Sequence, residues 1–346
     1  GLAPHNALAQ GAPKRGGRFR LGLTGANTGD SHDPATWGTG ALINFGLWGA
    51  VYNNLLEIGP DGKVTPELAE SFEASPDAKT WTFKLRRGVS FHNGKALDAD
   101  DVVVSINHHR GAQTKSAAKA ILAVVTDVKA DGKDRVVFTL SSGSADFPAS
   151  ITDYHLPIGP QKDGKIDWEP ATGTGGYTLV SHERGVKMVL KRNPGYWKPG
   201  RAWFDEVEIL NIPDVAARMN ALVSGQVDAI ANPDIKTLAL LQRNTSVVVE
   251  EQPGTTHYTM PMFTDVAPFN NKDVRLALKL AIDRKALVQT ILRGHGRGGT
   301  PGGPARDPLQ VPRVPRREKG RVLGGAAHGE LVHVQPAEDH RPRRLE

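Results

Sequence analysis

The segment WTFKLRRGVSFHNGKALDADDVVVSINHHR, Trp81 to Arg110, decides how this sequence folds, and it divides into a strand, a turn and a helix. Trp81, Phe83 and Leu85 fall on one face of an extended chain, with Thr82, Lys84 and Arg86 on the other, because side chains alternate along a strand. His92-Asn93-Gly94 is turn chemistry, since Asn-Gly readily supplies positive φ. Asp98 then stands at a helix N-cap, and Asp101 three residues later takes the capping-box position, where Glu or Gln is usual. Asp100 and Asp101 lie in the first turn, where the helix dipole favours negative charge. Val102, Val103 and Ile106 supply the apolar stripe. The carboxylates therefore read as a helix start rather than a metal site, because one helix terminus seldom offers converging ligands. His108 and His109 diverge by about 100° on a helix, so they cannot both face one ion; a cationic histidine near a helix C-terminus is expected instead.

Working outward, RFRLGLT (18–24) alternates with period two and predicts a first strand, and the loop GANTGDSHDPATWGTG (25–40) follows. The next segment, ALINFGLWGAVYNNLLEIG, carries Leu42, Phe45, Trp48, Leu55 and Leu56 at helical spacing. Residues 61–91 form short strands joined by Asp-Gly, Pro and Ser-Pro-Asp turns. Strands are expected at Ile121–Val128 and Arg135–Leu140 around an ADGKD turn, then on either side of His182-Glu183-Arg184-Gly185, then over FDEVEILNI. A helix from about Val215 to Ser224, with Gly225 at C′, leads into another strand. A short helix over Ile235–Arg243, strands over Ser246–Glu251 and Thr255–Met262, and one amphipathic helix over Asn271–Leu292 complete the pattern. The buried side of that last helix is marked by Val274, Leu278, Ala281, Ile282, Val288 and Ile291.

At 346 residues and 39% hydrophobic content, the chain can bury a substantial core in two or three domains. It has no cysteine, which excludes disulfides, thiolate metal sites and thiol nucleophiles. No apolar run approaches the roughly 18 residues of a membrane span. The net charge of +6 is concentrated: residues 301–346 hold eight Arg and one Lys against six acids. No basic cluster is interleaved with exposed aromatics, so nucleic-acid binding is not expected.

The short motifs resist an enzymatic reading. GHGRGG (294–299) has the letters of a dinucleotide loop but follows a helix instead of a strand. GTGGY at Gly173 lacks the Lys-Ser/Thr of a phosphate loop, so its glycines make a tight turn or let backbones cross closely. Ser31, His32 and Asp33 are sequence neighbours, whereas a triad converges from separate segments. HExxH and GxSxG do not occur.

Read in order, the pieces resemble a known family. LAESFEASPDAKTWTFKLRRGVSFHNGKALDADDVVVSI (68–106), GTGGYTLV with VLKRNPGYW, FDEVEI, RMNALVSGQVDAI and FTDVAPFNNKDVRLALKLAIDRKALV are similar, in this order, to extracellular solute-binding proteins of the peptide/nickel class, family 5. The resemblance covers roughly Gly17 to Gly296. It implies an α/β, bilobed fold of the periplasmic-binding-protein type (type II, large peptide-binding class), with the second lobe incomplete. It further implies a periplasmic monomer without catalytic residues, cofactor or metal, which closes on a small-molecule or peptide ligand and delivers it to the permease subunits of an ABC importer. A non-catalytic interaction or chaperone role ranks second and a metal-dependent hydrolase third. In the family the loop after the Asp-Pro pair contributes to the cleft, which here gives Thr36, Trp37, Gly38, Thr39 and Gly40 as candidate ligand contacts. Trp37 either covers a ligand or packs beneath the loop.

The domain expectation follows the same blocks: a flexible leader at 1–17, a first lobe from 18–50 plus 153–262, an inserted subdomain at 51–152, the start of a second lobe at 263–297, and a disordered or non-native tail at 298–346. HNALAQGA in the leader has the small-residue character of a region just past a signal cleavage site. Beyond Gly298 the composition changes, from 18 Lys and 16 Arg in residues 1–300 to 1 Lys and 8 Arg in 301–346, which also hold seven Pro. A frameshift or truncation in a GC-rich gene gives that pattern, as does a natural Pro/Arg linker.

Overall fold

The computed structural model describes residues 14–38, 40–59, 61–250 and 261–296, together with the backbone of 331–334. They form two compact units that divide between Ile230 and Ala231.

In the first unit, strand β1 (Arg18–Leu23) buries Phe19, Leu21 and Leu23. After the 24–40 loop, α1 (Ala41–Ile43) opens a helix that widens into π-type turns over Asn44–Val51, where the Tyr52 amide donates to the Leu47 carbonyl at 2.9 Å. Gly46 is required there, because a Cβ would run into the Met188 sulfur. Leu55 and Leu56 do not extend this helix, contrary to their spacing. The Asn54 amide donates instead to the Glu67 carboxylate at 2.9 Å, and Leu56–Ile58 is strand β2, paired antiparallel with β3 (Val64–Pro66).

Strands β4 (Ala69–Ala74), β5 (Thr80–Leu85), β6 (Val125–Ala130) and β7 (Arg135–Leu140) make an antiparallel sheet of order β4-β5-β7-β6. Trp81, Phe83 and Leu85 are buried and Lys84 is exposed, as the alternation predicts. They share a core with Phe138, Phe147 and the buried face of α2 (Ala99–His108), Val102 and Ile106. The start of α2 is the expected capping box: Asp98 accepts from the Asp101 amide at 3.1 Å and Asp101 accepts from the Asp98 amide at 3.0 Å. Asp101 also receives the Lys95 ammonium at 2.6 Å and the Gln161 amide at 2.8 Å, which joins the helix to a distant segment. Burial pushes its carboxyl upward against the pull of Lys95. The strand expected at 121–128 begins only at Val125. The Ala-rich run before it is helical, as α3 (Ala118–Ile121) and a 3-10 turn over Leu122–Val124, because alanine is the best helix former. A short α4 (Phe147–Ser150) follows β7.

Strands β8 (Tyr177–Glu183), β9 (Lys187–Arg192) and β10 (Glu206–Asn211) run antiparallel in succession, and β10 lies parallel to β1. Helix α5 (Val215–Val223) is capped by Asp214, which accepts from the Ala217 amide at 2.7 Å, and ends at Gly225 with φ +72°. It leads into β11 (Ala229–Ala231), parallel to β1 on its other side. The GTGG segment crosses the end of the π-type helix: the Gly175 amide donates to the Val51 carbonyl at 2.8 Å, and a Cβ at Gly173 would collide with that carbonyl. Its glycines serve backbone crossing, one of the two roles expected for them.

In the second unit, α6 (Leu238–Arg243) precedes β12 (Val247–Glu250). The strand expected over 255–262 lies mostly outside the described residues. The single helix expected over 271–292 is two helices, α7 (Lys272–Ala281) and α8 (Arg284–Thr290). Asp283 breaks it, turning its carboxylate back as a new N-cap to accept from the Ala286 amide at 2.8 Å. Neither helix has a buried residue; Leu276, Leu278, Leu280, Leu287 and Ile291 are exposed. Strand β13 (Leu331–Val334) pairs antiparallel with β12.

Candidate functional site

The loop between β1 and α1 is closed at its base by backbone. Gly25 has φ +86°, and a Cβ on Gly40 would sit 2.5 Å from the Gly25 carbonyl oxygen, so the two glycines let the loop ends meet. Inside it, Asp33 caps a 3-10 turn over Pro34–Thr36, accepting from the Ala35 amide at 2.8 Å.

Of the candidate contacts, Thr36 is exposed, with its hydroxyl donating to the Asp33 carbonyl at 2.7 Å, and Gly38 is exposed with open space where a Cβ would stand. Thr39 lies outside the described residues. The Trp37 side chain is buried: its indole donates to the Ser31 carbonyl at 3.1 Å and its ring leans on Tyr52 at 6.2 Å. Of the two roles considered for Trp37, packing beneath the loop is the one seen. Gly40 answers to the Gly25 crossing.

Four histidines from separate segments hold this loop, and no sequence motif announces them. His108, at the end of α2, places Nε2 2.6 Å from the Asp33 carboxylate. His155 places Nε2 3.0 Å from the Trp37 carbonyl and Nδ1 2.7 Å from Asp153. His32 donates from Nδ1 to the Glu169 carbonyl at 2.6 Å. Its Nε2 lies 2.9 Å from Nδ1 of His182 on β8. Burial, then the neighbouring His32, pulls His182 down to about 4. His109 is not the cationic histidine expected near the end of α2. It is fully buried with Nδ1 2.7 Å from the Ser116 hydroxyl, and burial, then His108, lowers it to about 3, so it is neutral near neutral pH. Asp33 itself is lowered: the His108 and Ala35 hydrogen bonds together outweigh its burial.

A second polar cluster lies within this unit. Glu67 accepts from Asn53 Nδ2 and Lys198 at 2.7 Å each, Lys198 also reaches Glu57 at 2.7 Å, and the Thr174 hydroxyl donates to Asn53 at 3.0 Å. Burial raises Glu67; it also opposes the charge on Lys198, but Glu67 and the other neighbours outweigh it and Lys198 is raised. Among the described residues no three metal-type side chains converge, and the one hydroxyl–imidazole pair named here, Ser116 with His109, is buried away from solvent. What the loop offers chemically is exposed hydroxyl and backbone groups on a fixed support.

A family model described as bacterial extracellular solute-binding proteins, family 5, middle region, matches residues 63–319. The chain belongs to this family. Family 5 proteins bind solutes without catalysis, and their setting is extracellular or periplasmic. The expected change of character near Gly298 falls inside the matched range. The family 5 chain is 31% identical over 276 residues to the heme-binding protein A of Haemophilus influenzae, covering 71% of this chain and 50% of the relative. It is 28% identical over 275 residues to the dipeptide-binding protein of Escherichia coli, covering 71% and 51%. Among solved structures, the periplasmic binding protein DppA of Helicobacter pylori in complex with the peptide STSA aligns with a TM-score of 0.68 at 24% identity, over 82% of this chain and 59% of that one. The fold is thus the mixed α/β fold of the type II peptide-binding class. The chain spans about half the length of the curated relatives it matches, and no helix among the described residues is long and apolar enough to cross a membrane.

Proposed function

We propose that this chain is the solute-capturing component of an ABC-type importer, taking a peptide or similar small solute in the periplasm and passing it to membrane permease subunits. The family match over residues 63–319 carries this reading. Relatives named for dipeptides and heme, and a solved neighbour bound to a peptide, support a ligand of that size. The ligand is met by the 36–40 loop, through the Thr36 hydroxyl and the open backbone at Gly38, while Trp37 supports from beneath. No covalent step is involved; capture rests on hinge closure around a polar cleft. In this reading residues 51–152 are an inserted subdomain, supported by their own antiparallel sheet and core, residues 18–50 and 153–262 are the first lobe, and 263–297 begin the second.

Thermal-shift measurements with di- and tripeptides, heme, opines, sugars and nickel chelates test it, because a ligand that binds only the folded state raises the melting point. A peptide-dependent rise that shrinks on Thr36→Ala is expected of a chain extended to the length of its relatives. Turnover of a generic ester or peptide by that same protein would overturn the reading.

A further inference from the structure

The connection between β9 and β10 carries a cavity of about 310 Å³ within the first unit, away from any residue assigned above to the solute. Its wall includes Arg15, Arg192, Asn193, Tyr196, Lys198 and Arg201, and no carboxylate among the described residues lines it. The charge of Lys198 is matched by Glu57 and Glu67, and that of Arg192 by Asp205 at 2.5 Å. Arg15 and Arg201 differ. Among the described residues Arg15 has only the face of Trp203, 5.1 Å away, and Arg201 has no partner. Every other described arginine of this unit reaches a carboxylate or carbonyl oxygen. The Tyr196 hydroxyl accepts from Asn53 at 3.2 Å, and its own proton finds no acceptor among the described residues.

We propose that this cavity is a binding site for a phosphate-type oxyanion. Two unmatched guanidinium groups beside a third that is only partly used call for about two negative charges, which a phosphate monoester supplies near neutral pH and a single carboxylate does not. Guanidinium forks match phosphate oxygens in bidentate geometry, and Tyr196 adds a neutral donor. The oxyanion is either free phosphate or its esters, or the headgroup of a phospholipid. The site lies wholly on the first unit and is independent of which solute the protein carries.

The test titrates the full chain with inorganic phosphate against chloride at matched ionic strength, reading melting temperature and heat of binding. In parallel, phosphatidylcholine vesicles with and without phosphatidic acid are tested for co-sedimentation. Arg201→Gln and Arg15→Gln are compared with Arg184→Gln, which removes the same charge from a residue already paired with Glu169. The expected result is saturable binding in one arm, weakened about tenfold or more by Arg201→Gln and Arg15→Gln and little changed by Arg184→Gln. A response to phosphate alone identifies a free oxyanion; a response only to phosphatidic acid vesicles identifies a headgroup. Absence of binding in both arms, or equal weakening by all three substitutions, overturns the proposal.

Discussion

Asp98 and Asp101 satisfy each other's backbone amides at the start of α2, and residue types at a fixed spacing were enough to predict it. Replacing Asp98 by Ala is expected to cost about 0.5–2 kcal/mol, measured by urea denaturation, while Asp98→Asn costs less because Asn is also a good N-cap. The histidines were not legible in this way. His32, His108, His155 and His182 come together through tertiary structure alone, and nothing in the local sequence separates them from surface histidines. They nevertheless fix a pH dependence. His182 and His109 titrate at about 4 and about 3 in the fold against an ordinary value of 6.5, so below 6.5 the unfolded chain binds more protons. Stability from these two groups is full above about pH 6.5 and is lost as pH falls toward 4 and then 3. Melting temperature followed across that window should decline, and His182→Gln should flatten the upper part of the decline; an unchanged profile in the variant would refute the assignment.

At the level of elements, alternating apolar residues or a terminus that local chemistry specifies located β1, β5, β7, β10, α2 and α5 from sequence. The misread elements have two causes. At Leu55 and Leu56 and at Asp283 an apolar period ran past a point where hydrogen bonding had already changed the conformation, and at Ile121 to Val124 the alanines before β6 held the chain helical. The crossing at Gly173 is equally beyond local reading, since its demand comes from Val51. Gly173→Ala should destabilise the fold by about 1–3 kcal/mol, the usual cost of forcing an atom into a filled site; a smaller loss in chemical denaturation would show that the crossing can open. The α7–α8 pair presents Leu276, Leu280, Leu287 and Ile291 to solvent, and exposed apolar faces drive association. Leu280→Lys with Ile291→Lys should therefore reduce concentration-dependent light scattering relative to the unaltered chain, whereas equal scattering would place the sticky surface elsewhere.

For the whole molecule, coverage of about half of each curated relative bears directly on what this chain can hold. A cleft buries most of its ligand between facing walls, so titration of the chain as given with dipeptides should show no saturation at micromolar concentration. Saturation there would mean that residues 1–346 complete a site by themselves. Reading the coding sequence around codon 298 in all three frames separates the two accounts of the Pro/Arg-rich segment: a shifted frame must continue with strand and helix periodicity, and a linker need not. The fold class was legible from block order, but the candidate contacts were legible only as a loop, because which of its side chains turn outward depends on Tyr52, His155 and Gly25. The hydrogen bond from Gly175 to the Val51 carbonyl brings together the end of the π-type helix and the start of the approach to β8. The chain ends of some hundred and twenty residues therefore meet at one point, while His108, His155 and Glu67 of that segment also bond Asp33, Trp37 and Lys198 outside it. A segment with adjacent ends can be gained, lost or exchanged in one recombination event without rerouting the strands that frame it, which makes residues 52–172 a natural place for grafting.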